Sequence, residues 1–444
     1  VIVKMCLLSL TTYIYINKSF KVKEYYKIIF SVLYAFSGWV LLDYFNVMWL
    51  DCVILFPLIV MYLNELLDRE KYLGYIITLS LSLMISYYIS YFILLFIVFY
   101  SFLYIFIKLD KDKVKKRIFC LGKGTVISLM ISSFSLLPAL YQTFISSRMD
   151  SVYRRELIFN FMNKSLYLLL SAIFLVIFMM LLFRYKNNKK DRKNIYIYVM
   201  LFILFGIGLF VEPINLAIHM GSYWGFPYRY SFVTIFIMMS GGLYYLSRYD
   251  IKGFNRYFIL RIIMFILILG GLLYLNNIYY DSIINSQILL DFDDENVYMN
   301  ILIIFLMLCL LITLSLSFRN KIIKYISFSI VFLVQVFVFS SWCIYYSDGY
   351  YLSKTSNLLN SNIKFDKDSL GRYKMGYSDY SPDYGFIYDV NTLDNWLHIL
   401  PDREIDLYFR LGYKNSDTCL RSYGGTIFSD WLFNVKYIID NDII

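Results

Sequence analysis

Long apolar runs recur along the chain, each followed by a few polar or charged residues, until the pattern stops near residue 347. A bilayer core of about 30 Å is crossed by about 20 apolar residues in a helix, so each run predicts a membrane-spanning segment. Twelve segments are predicted, at residues 1–17, 27–42, 52–66, 71–86, 89–107, 118–139, 165–183, 195–211, 229–247, 257–276, 299–318 and 325–346. The stretch 71–107 is too long for one crossing and predicts a tight helical hairpin turning at Ser86, Tyr87 and Tyr88. From Ser347 onward Asp, Tyr, Ser and Asn dominate, which predicts a water-soluble module. Within it Gly385–Tyr388, Leu407–Arg410 and Val435–Ile439 read as short strands, with Ser381-Pro382-Asp383 and Tyr423-Gly424-Gly425 as turns. The expected architecture is an α-helical polytopic membrane domain over 1–346, followed by a small β-rich or α+β domain over 347–444.

Charge orients these segments, because short cytoplasmic loops carry an excess of Lys and Arg. Lys18, Lys21 and Lys23 open the series, followed by the basic groups spanning 108–117, 184–193, 248–256 and 319–324. Between the basic loops fall Asp43 with Asp51, and the acidic set Asp281, Asp291, Asp293, Asp294 and Glu295. Twelve crossings satisfy this alternation and place Val1 and the C-terminal domain on the same, extracytoplasmic face. The chain carries a net charge of +10, yet residues 347–444 hold 10 Lys and Arg against 14 Asp and Glu. The basicity therefore belongs to cytoplasmic loops beside a lipid bilayer and predicts no nucleic-acid partner.

Composition narrows the chemistry further. With 59% hydrophobic and 17% charged residues, the chain is excluded from ordinary soluble proteins. Only 2 His and 6 Cys are present, and Cys6, Cys52, Cys120, Cys309 and Cys343 lie inside apolar runs. A disulfide framework, a zinc cluster and a Cys/His nucleophile pair are all disfavoured. No P-loop, GxSxG, HExxH or CxxC motif occurs, so ATP-driven chemistry has no support. The chain starts with Val inside an apolar run, which predicts that its natural beginning lies upstream.

Asp43 and Asp51 flank Tyr44–Leu50 at an outer boundary. Asp51 either caps a helix beginning at Cys52 or presents a carboxylate that could act as a base, bind a sugar hydroxyl or hold a divalent cation. Arg229 begins an apolar run with no acidic residue nearer in sequence than Glu212. A planar, permanent cation held there suits phosphate or carboxylate. Arg154 and Arg155 either pair with Asp150 and Glu156 or join such a site, and His219 is either a nearby base or a plain hydrogen-bonding residue. Trp39, Trp49, Trp224 and Trp342 all fall at outer boundaries, either as an interfacial belt or as the lining of a cavity on which carbohydrate rings stack.

Several of these stretches resemble one family. Ser37-Gly38-Trp39, together with Asn46-Val47-Met48-Trp49-Leu50-Asp51-Cys52-Val53-Ile54-Leu55-Phe56-Pro57-Leu58, is similar to a signature region of the bacterial YfhO-type membrane proteins. The turn Ile85–Tyr91 resembles theirs, although Ser86 and Ser90 replace an Asn-type residue and Gly. Leu136–Leu140, Phe226–Phe232 and Val435–Ile438 are further points of likeness. The resemblance implies a fold like the C-type glycosyltransferases, with a polyprenyl-phosphate sugar as donor and a cell-wall polymer of the lipoteichoic acid type as acceptor. It also implies that the principal catalytic carboxylate lies in a first outer loop, upstream of Val1, with Asp51 and Asp43 as the candidates within this chain. Arg229, Tyr228, Arg154, Arg155, His219, Trp49 and Tyr88 form the candidate substrate-binding set, and no cofactor beyond an optional divalent cation is expected. The rival expectations are a transporter or flippase of lipid-linked saccharides and a non-catalytic envelope assembly protein.

Overall fold

The computed structural model describes residues 1–145, 168, 170–183, 189–209, 211–220, 228–248, 271, 295–318, 320–359, 365–366, 370–376, 384–396, 400–414 and 419–439. They form two compact units, one of Val1–Leu136 with Arg155–Cys343 and the other of Leu137–Arg154 with Ile344–Ile444.

The first unit is a helical bundle. It opens with α1 (Ile2–Ser19), α2 (Glu24–Ala35), α3 (Gly38–Asp43) and α4 (Val47–Arg69). Lys4 pairs with Asp51 at 2.8 Å, and Lys18 pairs with Glu65. Both numbers climb together along the two helices, so α1 and α4 run parallel and α2 with α3 supplies the return. Phe36 and Ser37 interrupt that return, and the Gly38 N–H that starts α3 donates to Ser171 Oγ at 3.0 Å.

The chain continues through α5 (Leu73–Ile85), α6 (Tyr87–Lys108) and α7 (Lys111–Phe144). Ser86 alone separates α5 from α6, and its side chain accepts from Ile89 N–H at 3.4 Å. The Ser82 and Ser90 hydroxyls meet at 2.7 Å. A continuous helix would hold residues that far apart in sequence at about 12 Å along its axis, so the chain bends sharply at Ser86.

Next come α8 (Ala172–Phe183), α9 (Lys189–Ile207), α10 (Glu212–Ile218), α11 (Ser231–Arg248), α12 (Glu295–Ser317) and α13 (Lys321–Leu359). Helix α11 lies tight against α8 at Gly241, where an added Cβ would come within 2.6 Å of the Phe178 ring. Small residues at such crossings let helices in a membrane approach closely without a hydrophobic driving force between them. Phe56 stands at the centre of the bundle, with ring centroids 5.2 Å from Phe96, 5.3 Å from Phe232 and 4.7 Å from Phe236.

Among the described residues, five helices are long and apolar enough to cross a bilayer: Glu24–Asp43, Val47–Arg69, Tyr87–Lys108, Asp112–Phe144 and Lys321–Cys343. Leu73–Ile85, Ala172–Leu181 and Ile303–Ser317 are apolar but shorter. The run 257–276 lies outside the described residues, apart from Gly271.

In the second unit, β1 (Arg372–Met375) pairs in parallel with β4 (Val435–Ile439), setting Tyr373 against Tyr437 and Lys374 against Ile438. Strands β2 (Asn395–Trp396) and β3 (Cys419–Leu420) pair antiparallel. Its core is Tyr373, Tyr384 and Ile439, packed against Phe365, Tyr388, Val390 and Tyr437. The composition change at Ser347 falls inside α13 rather than at an element boundary.

Two predicted strands are helices. Tyr384–Tyr388 forms α14, and Leu407–Arg410 is the end of α15 (Asp402–Arg410). A strand would point Tyr384 and Phe386 the same way. Here Tyr384 is fully buried while Phe386 is 81% exposed, as a helix requires. In α15, Asp402 and Glu404 occupy the first turn, and Arg410 in the last turn pairs with Asp406 at 2.8 Å, a helix-favouring charge order that the strand reading passed over. Val435–Ile439 is a strand as expected, and it follows the six-residue helix α16 (Ile427–Leu432).

Candidate functional site

At one end of the first unit, aromatic side chains surround a cation. Arg229 lies in the turn before α11 and is 8% exposed. Its guanidinium carbon stands 5.0 Å from the Trp49 ring centroid and 4.5 Å from that of Tyr88. Trp49 comes from the first turn of α4 and Tyr88 from the first turn of α6, so the cage forms where two helices begin. Aromatic faces attract such a planar cation and hold its orientation. The backbone is fixed as well, because Trp39, fully buried on α3, donates its indole N–H to the Arg229 carbonyl at 3.0 Å.

The aromatic wall continues from the cage to His219. Tyr88 packs on Phe92 with centroids 5.4 Å apart, Phe92 on His219 at 5.1 Å, and His219 on Tyr230 at 5.5 Å. His219 caps the end of α10, and its Nδ1 lies 2.8 Å from the Asn215 carbonyl. A carbonyl can only accept, so Nδ1 carries the proton in the neutral ring and Nε2 holds the lone pair.

The structure removes one of the two readings of Asp51. Asp51 does not cap a helix: α4 begins at Val47 after Asn46, which leaves Asp51 in the second turn, paired with Lys4. Asp43 ends α3 and is 2% exposed. Tyr228 is buried in the turn beside Arg229, while Arg154, Arg155 and Trp224 lie outside the described residues. Among the described residues no three His, Cys, Asp or Glu side chains converge as a metal site would require. The Lys4 contact was missed, although a lone lysine in an apolar run is itself a signal that a partner is near. Both side chains of that pair are partly exposed, at 27% and 36%. Asp51→Asn is therefore expected to cost under about 1 kcal/mol, read as a small shift in the melting of the full chain in detergent.

The opposite end of this unit carries a cavity of about 480 Å³. Lys18, Arg69, Lys108 and Arg248 stand at its rim, each in the last turn of its own helix. Four helix C-termini converge there, and their partial negative charge accounts for the basic rim. The floor is tyrosine-rich: Tyr100 donates to Asn64 at 2.6 Å, Asn194 donates to Tyr244 at 3.2 Å, and Tyr104 donates to Asp68.

A family model described as bacterial membrane protein YfhO matches residues 1–443. The chain belongs to the YfhO family. The match takes in both compact units and all the cage residues, so the caged arginine is a feature of a YfhO-family membrane protein. No curated protein and no solved structure matches the chain. As a YfhO protein with several long apolar helices, it is a membrane protein of the bacterial cell envelope.

Proposed function

We propose that this protein is a membrane glycosyltransferase that moves a sugar from a polyprenyl-phosphate donor to a cell-wall polymer on the outer face. The observation that carries this reading is the cage: a buried guanidinium held between Trp49 and Tyr88, beside an aromatic wall. In the transfer, an acceptor hydroxyl attacks the anomeric carbon and the carbon–oxygen bond to the donor phosphate breaks. The phosphate leaves with the electron pair, and a carboxylate takes the hydroxyl proton. Arg229 supports the leaving phosphate as charge develops on its oxygens. The aromatic faces suit a sugar ring, which offers C–H groups to them and hydroxyls to polar neighbours. The outer placement of this end rests on the Lys and Arg distribution among loops. Membranes containing the protein are expected to incorporate labelled sugar from a polyprenyl-phosphate sugar into wall polymer, and membranes from a deletion strain are not. Equal incorporation in both would end the proposal.

One observation favours a second reading, transport of lipid-linked saccharides. The cavity lies at the end of the unit opposite the cage, as an alternating-access pathway would need. Transport would move an intact labelled lipid-linked saccharide across proteoliposomes with no acceptor present. Transferase chemistry would leave it in place.

A further inference from the structure

Helix α16 of the second unit is inside out. Its sequence is Ile427-Phe428-Ser429-Asp430-Trp431-Leu432, and its polar residues face the unit. Ser429 is fully buried and forms a reciprocal capping box with Thr426, accepting from Thr426 N–H at 2.7 Å while Thr426 Oγ1 accepts from Ser429 N–H at 3.1 Å. Asp430 takes Lys374 Nζ at 2.7 Å and the Tyr413 hydroxyl at 2.8 Å. Those polar anchors fix the helix so that all four apolar side chains point away: Ile427 is 91% exposed, Phe428 65%, Trp431 74% and Leu432 53%. A water-facing helix normally shows the reverse arrangement.

The same unit contains the end of a membrane-spanning helix. The span Asp112–Phe144 runs into it, with Leu137, Tyr141 and Phe144 exposed as lipid-facing residues are. Asp402 N–H, which starts α15, reaches the Ile145 carbonyl just past that span at 3.4 Å. Helix α15 leads on to α16, because Tyr408 stacks on Phe433 with centroids 5.4 Å apart. The apolar face of α16 thus stands one helix away from the end of the apolar helix Asp112–Phe144. Trp and Phe favour the headgroup boundary, where a flat apolar ring finds both hydrocarbon and polar partners.

We infer that the outward face of α16 rests in the interfacial layer of the bilayer and pins the second unit to the membrane surface. This holds whatever reaction the first unit performs. The test uses the full chain in nanodiscs of phosphatidylcholine with or without bromine on the upper acyl carbons. Subtracting the emission of Trp431→Phe from that of the unaltered protein isolates one of the six tryptophans. The expected result is that brominated lipid removes most of the Trp431 emission, while aqueous iodide removes little. Quenching by iodide alone would show a solvated face, and quenching by neither would show a face covered by protein or by a second copy. Either outcome overturns the inference. Because Trp431 projects outward, the Phe variant leaves the core untouched.

Discussion

Replacing Arg229 with Ala is expected to lower sugar transfer about 100- to 1000-fold, the loss seen when a single donor to a developing oxyanion is removed. The side chain is buried between Trp49 and Tyr88, so its truncation removes both the charge and the packing that orients it. Arg229→Lys keeps a cation, but it lacks the planar fork and stacks less well on aromatic faces, so only part of the activity should return. Transfer of labelled sugar by membranes carrying each variant, normalised to protein amount, gives the comparison. Full activity in Arg229→Ala would remove this residue from the site. Trp39→Phe is a useful companion, since it keeps an aromatic ring in the core while deleting the bond to the Arg229 carbonyl.

The second large effect concerns stability. Asp394 is buried in the second unit, where Oδ1 accepts from Ser422 N–H at 2.8 Å, and Oδ2 accepts from the Ser422 hydroxyl and, at 3.2 Å each, from Tyr384 and Thr392. Asp394→Ala strands these donors together and is expected to cost about 3 kcal/mol. Asp394→Asn should cost less, because the hydroxyls can turn to accept from its amide. Burial pushes the Asp394 carboxyl above the usual carboxylate range, against an opposing pull from the Ser422, Thr392 and Tyr384 hydrogen bonds. The folded state therefore binds this proton more tightly than the unfolded chain does. Its contribution to stability is greatest below the ordinary carboxylate pKa and falls as pH rises through the raised folded value. Hydrogen exchange at the Ser422 amide in the full chain reports both effects: protection should drop in the Ala variant, and in the unaltered protein it should fall with rising pH after correction for intrinsic exchange. A protection profile unmoved by Asp394→Ala would show that the network is not holding the unit.

Different parts of the molecule were legible to different degrees. The hairpin turn at Ser86 was readable because the length of an apolar run is a direct physical constraint, and no single helix could absorb residues 71–107. Arg229 stood out for a similar reason, as a lone permanent charge at the edge of an apolar segment. The strand readings at 385–388 and 407–410 failed because runs that short fit either period. Tyr384 and Tyr388 turn to the Tyr373 and Ile439 core from a helix, and 407–410 ends a helix whose charge order runs from Asp402 and Glu404 to Arg410. The cap reading of Asp51 fails because an apolar run gives the length of a helix but not its first residue, and Val47–Leu50 before it is already helical.

The sequence by itself determined that this chain is a membrane protein, and it singled out a cation and aromatic residues at the ends of apolar runs. Each of those follows from local solvation cost: apolar side chains, backbone groups and charges have a preferred medium whatever their neighbours. Only the tertiary structure decided that Trp49, Tyr88 and Trp39 gather on Arg229, that Asp51 is claimed by Lys4, and that α16 turns its apolar side outward. Those pairings join residues far apart in sequence, and within a membrane many helix packings satisfy the same solvation pattern. The choice among them is made by side-chain shape and by hydrogen bonds between helices, which no single segment contains.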